Sequence, residues 1–213
     1  MADAHLPLLG EKFPSLSVDT TQGKLPLPDA FAGHWWVLFS HPRDFTPVCT
    51  SEFHSFAAHQ AKFDALDTKL IGLSVDDVAS HQSWADWIEK NLDMPIKFPI
   101  IGDDGTIAQT LGMVHPQKGN AAVRAVFVMD ATGTIRTILW YPPELGRNIS
   151  EVVRIVRALQ LGDGHQVATP ADWPQNQLIG DKVIVFPTPE QAAADGVPGA
   201  EKFAPWFNYK SVK

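Results

Sequence analysis

The chain has one cysteine, Cys49, in 213 residues. That excludes an intramolecular disulfide framework. It also excludes the Cys-x-x-Cys pair of a thioredoxin-type disulfide reductase. A lone thiol suits a reducing compartment, so the expectation is a cytoplasmic protein. No apolar run approaches the length of a transmembrane helix. Met1 to Gly10 has no basic start and too short an apolar run for a signal peptide. Positive charge is also scarce: Lys and Arg number 17 against 24 Asp and Glu, a net charge of −7. With no basic cluster, nucleic acid and anionic membrane are poor partners. Internal repeats and low-complexity segments are missing as well.

What is present is globular in character. Apolar residues make up 45% and charged residues 19%, enough to bury a core and not the profile of a disordered chain. The length suits one domain plus a small appendage.

Lys12 to Leu27 holds short apolar runs broken by Pro14, Gly23 and Pro26, which predicts a hairpin or edge strands. Trp35-Trp-Val-Leu-Phe39 is a continuous apolar run and predicts a central strand buried on both faces. From Pro47 the period changes. Phe53, Phe56, Ala57, Phe63 and Leu66 fall at helical spacing, so one long amphipathic helix is expected there. Lys69 to Val75 predicts a second buried strand, and Trp84, Trp87, Ile88 and Leu92 a second amphipathic helix. Phe98 to Ile101 and Ile107 to Leu111 predict a short strand and a short helix. Ala125 to Met129 and Thr134 to Trp140 flank Asp130-Ala-Thr-Gly133, a hairpin signal. Asn148 is placed to cap a helix carrying Ile149, Val152, Val153, Val156 and Leu159, with Gly162 as its stop. Beyond Gly164 the sequence turns Pro-rich and irregular, with one short strand at Lys182 to Phe186.

The order β-α-β-α-β-α, then a hairpin and a helix, predicts an α/β fold. Its mixed central sheet is flanked by helices, a pattern that fits a thioredoxin-like fold among others. The division expected is 1–164 for the main domain and 165–213 for a small C-terminal α+β domain.

Chemistry is concentrated in the turn between the first buried strand and the long helix, Ser40-His-Pro-Arg-Asp-Phe-Thr-Pro-Val-Cys-Thr-Ser-Glu-Phe53. With Thr46 at the N-cap, Pro47 takes the first helical position, where its missing N–H costs nothing. Cys49 then occupies the third position, where a capping box holds Glu or Gln. A thiolate suits that place. Lowering a thiol pKa from about 8.5 to about 6 takes roughly 3.4 kcal/mol. A helix N-terminus supplies about 0.3–1 kcal/mol and at most about 2, so a cation is required too. Donors aimed at the bond that a thiolate attacks would have to supply the rest of the rate. A cysteine without context is more often a buried small hydrophobe. Here it sits at a helix N-terminus on the carboxyl edge of the sheet, where α/β folds place their chemistry.

Pro42-x-x-x-Thr46-x-x-Cys49 resembles the peroxiredoxin active-site signature, and Phe39 to Glu52 resembles the one-cysteine, peroxiredoxin 6 type branch. The resemblance extends over nearly the whole chain, through Arg124-Ala-Val-Phe-Val-Met129, Leu139-Trp-Tyr-Pro142, Gly146-Arg-Asn148 and Val167-Ala-Thr-Pro-Ala-Asp-Trp173. It implies a thioredoxin-like peroxidase that reduces hydrogen peroxide and organic hydroperoxides through a cysteine sulfenic acid, without cofactor or metal. Cys49 would be the nucleophile, Thr46 a hydrogen-bond partner of thiolate and peroxide, and Arg124 the cation. Pro42 would shield the sulfenate, Glu52 orient the arginine, and Arg147 add a second guanidinium. His41 fills the histidine place of this branch, adjoining the sulfur in one redox state. A homodimer or ring of dimers is implied. Without the resemblance, Arg124 and Arg147 read as solvated charges and Glu52 as an ordinary first-turn acid.

With one cysteine the sulfenic acid must be reduced by an external thiol or other reductant, or react with a second protomer, and glutathione, a thioredoxin-like protein and ascorbate all remain open. Unreduced, a sulfenic acid goes on to the sulfinic state. A phospholipase-type Gly-x-Ser-x-Gly turn is missing, since Ala32-Gly-His-Trp-Trp36 has His34 in the serine place. A cysteine phosphatase would need arginine at position 55, which is Ser55, and Cys49 with His54 has poor metal-ligand spacing. The chief rival is a redox sensor or holdase using the same cysteine. Catalytic turnover separates the two.

Overall fold

The computed structural model describes residues 6–115, 117, 119 and 121–212. The leader-peptide reading of Met1 to Gly10 thus falls partly outside them. Among the described residues no helix is long and apolar enough to cross a membrane. Two compact units divide the chain, Met1–Val153 and Arg154–Lys213.

The first unit is built on a seven-stranded sheet. Its strands are β1 (Leu16–Thr20), β2 (Gly23–Leu27), β3 (Trp35–Ser40), β4 (Thr68–Ser74), β5 (Ile100–Gly102), β6 (Arg124–Met129) and β7 (Ile135–Tyr141). The spatial order is β2-β1-β5-β4-β3-β6-β7. β4 runs parallel to both β3 and β5, and the remaining pairs are antiparallel. Helices α1 (Pro47–Ala58), α2 (Gln60–Asp64), α3 (Val78–Leu92) and α4 (Thr106–Thr110) belong to this unit, and α5 (Ile149–His165) begins in it. The architecture is a thioredoxin-like fold with a mixed sheet.

Alternation along β3 explains how both of its faces are buried. Trp36 and Leu38 join one core with Ile71, Leu73, Ala125 and Phe127. Val37 and Phe39 point the other way, where Phe39 stacks on Phe56 of α1 at 3.8 Å between ring centroids. On β6 the same alternation sends Ala125, Phe127 and Met129 into the first core and leaves Arg124 on the α1 face. Gly72 makes room on that face: a Cβ there would lie 3.1 Å from the Phe53 ring.

The helix expected from Pro47 to Leu66 is two helices. His59 leaves helical geometry at φ −95° and ψ 0°, and its ring bonds the Ser55 carbonyl at 2.8 Å and the Ser150 hydroxyl at 3.0 Å. Hydrophobic period survives the break, because Phe63 of α2 remains fully buried. The apolar spacing therefore gave no warning.

The second unit runs from within α5. That helix does not stop at Gly162, as the sequence suggests, but continues to His165. Gln166 takes the left-handed conformation, φ 52°, and Val167 N–H closes the end by donating to the Gly162 carbonyl at 3.2 Å. Gly162 serves that closure by small size, since a Cβ would meet the Val167 carbonyl oxygen at 3.0 Å. Three strands follow, β8 (Val183–Val185), β9 (Glu201–Ala204) and β10 (Phe207–Lys210), with α6 (Pro189–Ala193) between β8 and β9. They form a sheet in the order β8-β10-β9. The sequence reading finds β8 alone. β9 is almost wholly exposed, so it carries none of the apolar alternation that marks a strand.

Candidate active site

Thr46 is the N-cap of α1 with extended backbone, and Pro47 is the first helical residue. Cys49 follows at the third position, as the pattern requires. Together with Glu52, Phe53 and Phe56 it makes the buried stripe of the helix, spaced i, i+3, i+4 and i+7. That stripe lies against the sheet face bearing Arg124, so the fold brings a nucleophile and a cation together from positions 75 residues apart. Arg124 Nη1 donates to Cys49 Sγ at 3.3 Å and to Glu52 Oε2 at 2.7 Å. Its Nε donates to the Pro143 carbonyl at 2.8 Å. Three acceptors thus fix one guanidinium.

Arg147 arrives from the loop after β7. Its Nε and its backbone N–H both reach Glu52 Oε1 at 2.8 Å, and Nη2 reaches Oε2 at 2.7 Å. Nη1 donates to the Ala125 carbonyl at 2.8 Å. Cys49, Glu52, Arg124 and Arg147 are all buried. Burial pushes the Glu52 carboxyl up, but the charge and hydrogen bonds of Arg147 and the charge of Arg124 outweigh it and hold Glu52 below the usual carboxylate range. Burial lowers Arg147 from its ordinary guanidinium value, against the pull of Glu52. Two guanidiniums against one carboxylate leave a single positive charge in excess inside the protein. Arg124 Nη1 brings that excess to within 3.3 Å of Cys49 Sγ.

Other residues singled out by the sequence are placed differently. The Thr46 hydroxyl makes no cap bond and donates to the Arg43 carbonyl at 3.0 Å; it is not brought to the sulfur. Pro42 is half-buried in the same loop. His34 lies on the surface, paired with Asp67 Oδ1 at 2.7 Å. His41 is fully buried, two residues beyond Phe39 and on the same face of the sheet. Its ring packs on Phe53 at 4.7 Å and on Trp84 at 5.1 Å between centroids.

The Asp44 carboxylate, which the sequence reading passes over, organises this loop. Oδ1 accepts from His41 Nε2 at 2.8 Å and Oδ2 from His81 Nδ1 at 2.8 Å and Ser80 Oγ at 2.8 Å. The Asp44 backbone N–H donates to Asp76 Oδ2 at 2.9 Å. Burial pushes Asp44 up, yet the hydrogen bonds from His41 and His81 prevail and hold it far below the usual carboxylate range. For His41 burial wins over Asp44 and lowers the imidazole, which favours the neutral ring. Phe45 next turns outward with φ 52° and 55% exposure, a costly backbone for a bulky residue. The spacing His41-x-x-Asp44 was the available signal, but His81 lies on another element.

Comparison with known proteins agrees with this geometry. Residues 9–138 match the model of the AhpC/TSA family, and residues 158–196 that of the C-terminal domain of 1-Cys peroxiredoxin. Peroxiredoxin 2 of Sulfurisphaera tokodaii is 52% identical over 213 residues, covering 100% of both chains. A peroxiredoxin of Thermotoga petrophila is 51% identical over 214 residues, covering 99% of this chain and 100% of its own. Among solved structures, the yeast mitochondrial 1-Cys peroxiredoxin superposes with a TM-score of 0.85 at 38% identity, over 96% of this chain and 99% of that one. A cysteine-to-serine mutant of the peroxiredoxin 6 of Arenicola marina gives 0.81 at 35% identity, over 95% and 97%.

Proposed function

The chain belongs to the peroxiredoxin family and is a thiol-dependent peroxidase, and we propose that Cys49 carries its whole redox cycle. The observation that carries this reading is Arg124 Nη1 at 3.3 Å from the only cysteine sulfur. The Cys49 thiolate attacks the terminal oxygen of a hydroperoxide. An S–O bond forms as the O–O bond breaks, the sulfur gives up two electrons, and the departing alkoxide or hydroxide takes a proton from water. Arg124 holds the thiolate and stabilises charge on the breaking O–O bond. Glu52 and Arg147 orient Arg124. Thr46 supplies a hydroxyl to the peroxide by turning from the Arg43 carbonyl. Pro42 shields the sulfenic acid, and His41 lines the site on the sheet side.

Return of the sulfur to thiol draws on an external reductant, because the chain holds no second cysteine. One thiol condenses with the sulfenic acid and releases water, and a second displaces Cys49 from the mixed disulfide. To test the cycle, one equivalent of hydrogen peroxide is added with a sulfenate trap and the intact mass is followed. A single trapped adduct on Cys49, and in a parallel sample without the trap recovery of the thiol on adding glutathione or a thioredoxin, is the expected result. Oxidation that stalls with every reductant, ascorbate included, would favour a sensor.

We propose further that the protein is a homodimer or a larger ring. β7 is an outer strand of the sheet, and its Trp140 is 47% exposed. Such an edge is a template for pairing with another chain. Light scattering at working concentration should give at least twice the chain mass; a monomer would contradict it.

A further inference from the structure

Two imidazoles and one carboxylate converge between the loop after β3 and helix α3. His41 Nε2 lies 2.8 Å from Asp44 Oδ1, and His81 Nδ1 lies 3.0 Å from Asp44 Oδ1 and 2.8 Å from Oδ2. One ligand atom from each of the three side chains falls within 4.8 Å of the others. All three residues are buried.

The His81 ring is oriented by its other nitrogen. Nε2 faces the Ile101 carbonyl at 3.0 Å, and a carbonyl only accepts, so Nε2 carries a hydrogen. A neutral ring then offers a lone pair at Nδ1, aimed at two carboxylate oxygens. Lone pair and carboxylate repel, so positive charge has to lie between them. A proton serves the edge between His81 and Asp44 alone. A divalent ion serves His41, Asp44 and His81 together. A ring whose second nitrogen donates to a backbone carbonyl is also the usual arrangement of a metal-ligating histidine.

We propose that His41 Nε2, His81 Nδ1 and the Asp44 carboxylate form a binding site for one divalent first-row metal ion of the zinc type. Two imidazoles with one carboxylate suit zinc, cobalt or iron, whereas magnesium and calcium take oxygen donors. Zinc bonds of about 2.0–2.1 Å in tetrahedral geometry set ligand atoms roughly 3.4 Å apart. The edges at Asp44 therefore open by about half an ångström, a small turn of its side chain, and water completes the fourth position. Asp76 stands behind the site, its Oδ2 accepting the Asp44 N–H at 2.9 Å and the Ser74 hydroxyl at 2.7 Å. The role is structural. His41 and Asp44 belong to the loop that leads into α1, and His81 to α3. One ion thus ties two segments together, and an ion held only by the native chain raises its thermal stability.

Cobalt and zinc ions, added to the metal-free full chain, are the probes. Equilibrium dialysis should give one ion per chain. Bound cobalt should show the visible bands of nitrogen and oxygen ligands without a near-ultraviolet thiolate band. Cys49→Ser should bind equally, which separates the site from the lone thiol. His81→Gln and Asp44→Asn should each weaken binding by at least about tenfold, the least that losing even a supporting outer partner costs. His34→Gln, at the surface pair with Asp67, should leave the affinity unchanged. Zinc should raise the thermal midpoint of the wild type and not that of His81→Gln. No bound ion in the wild type, full affinity in both site variants, or loss of binding in Cys49→Ser would overturn the proposal. Should the site variants fail to fold, ring nitrogen-15 shifts of the wild type decide the matter. Zinc should move the resonances of His41 and His81, and shifts confined to the other histidines sink the idea. Peroxide consumption at Cys49 is a separate reading, and no arm of this test depends on it.

Discussion

Cys49→Ser should reduce peroxide consumption to the uncatalysed background while the fold persists. The loss is chemical. A serine hydroxyl at this position stays protonated at neutral pH, whereas a thiol in contact with a guanidinium can be present as thiolate, and the thiolate is the nucleophile. The structural cost is small for a position with no exposure, because the serine oxygen can accept from Arg124 Nη1 as the sulfur does. A buried polar atom with a charged donor is a satisfied one. Far-UV circular dichroism and the thermal midpoint should therefore remain close to native. Substantial peroxidase activity in this variant would remove the assignment of Cys49, since no other cysteine exists to replace it.

Arg124→Ala should slow the first oxidation of Cys49 by about 10²- to 10³-fold, the range for losing a preorganised donor at a centre of developing charge. Two effects combine. The cluster of Glu52, Arg124 and Arg147 goes from one excess positive charge to none, so a smaller fraction of Cys49 should be thiolate at neutral pH. The peroxide also loses a donor held in place by Pro143 and Glu52. Glu52 keeps its contacts to Arg147, so the carboxylate is not stranded and the fold should survive. Stopped-flow oxidation and the ultraviolet thiolate absorbance read the two effects separately. Arg124→Lys should recover only part of the rate, because one ammonium cannot serve sulfur, carboxylate and carbonyl in the planar fork geometry. An unchanged oxidation rate in Arg124→Ala would refute its role.

These variants also show how far the sequence could be read. The strand from Trp35, the Thr46-Pro47 helix start and the third-position cysteine are local. Steric limits, capping and period act over a few residues, and they place Cys49 at the third position of its helix without any tertiary contact. Family resemblance added Arg124, Glu52 and Arg147 as names. It could not supply their burial or the carboxylate bridging two guanidiniums, which depends on Arg147 reaching Glu52 across 95 residues.

Where local reading misled, the cause was also physical. His59 ends α1 through ring hydrogen bonds that leave the apolar period intact. Gly162 looked like a helix stop, yet Gln166 supplies the left-handed turn and Gly162 the room for it. β9 and β10 pair by backbone bonds, with aromatic side chains such as Phe203 and Trp206 left exposed, so apolar alternation could not reveal them.

The lone thiol and the missing second cysteine were determined by the sequence alone, because a chain either has a residue or lacks it. They settled that the cycle needs outside help. The charge balance around the sulfur, and the Asp44 and His81 partners that orient His41, were decided only by the tertiary structure. Such contacts join β3, α1, α3, β6 and the loop after β7, and electrostatics depends on distance and burial, which no linear spacing records.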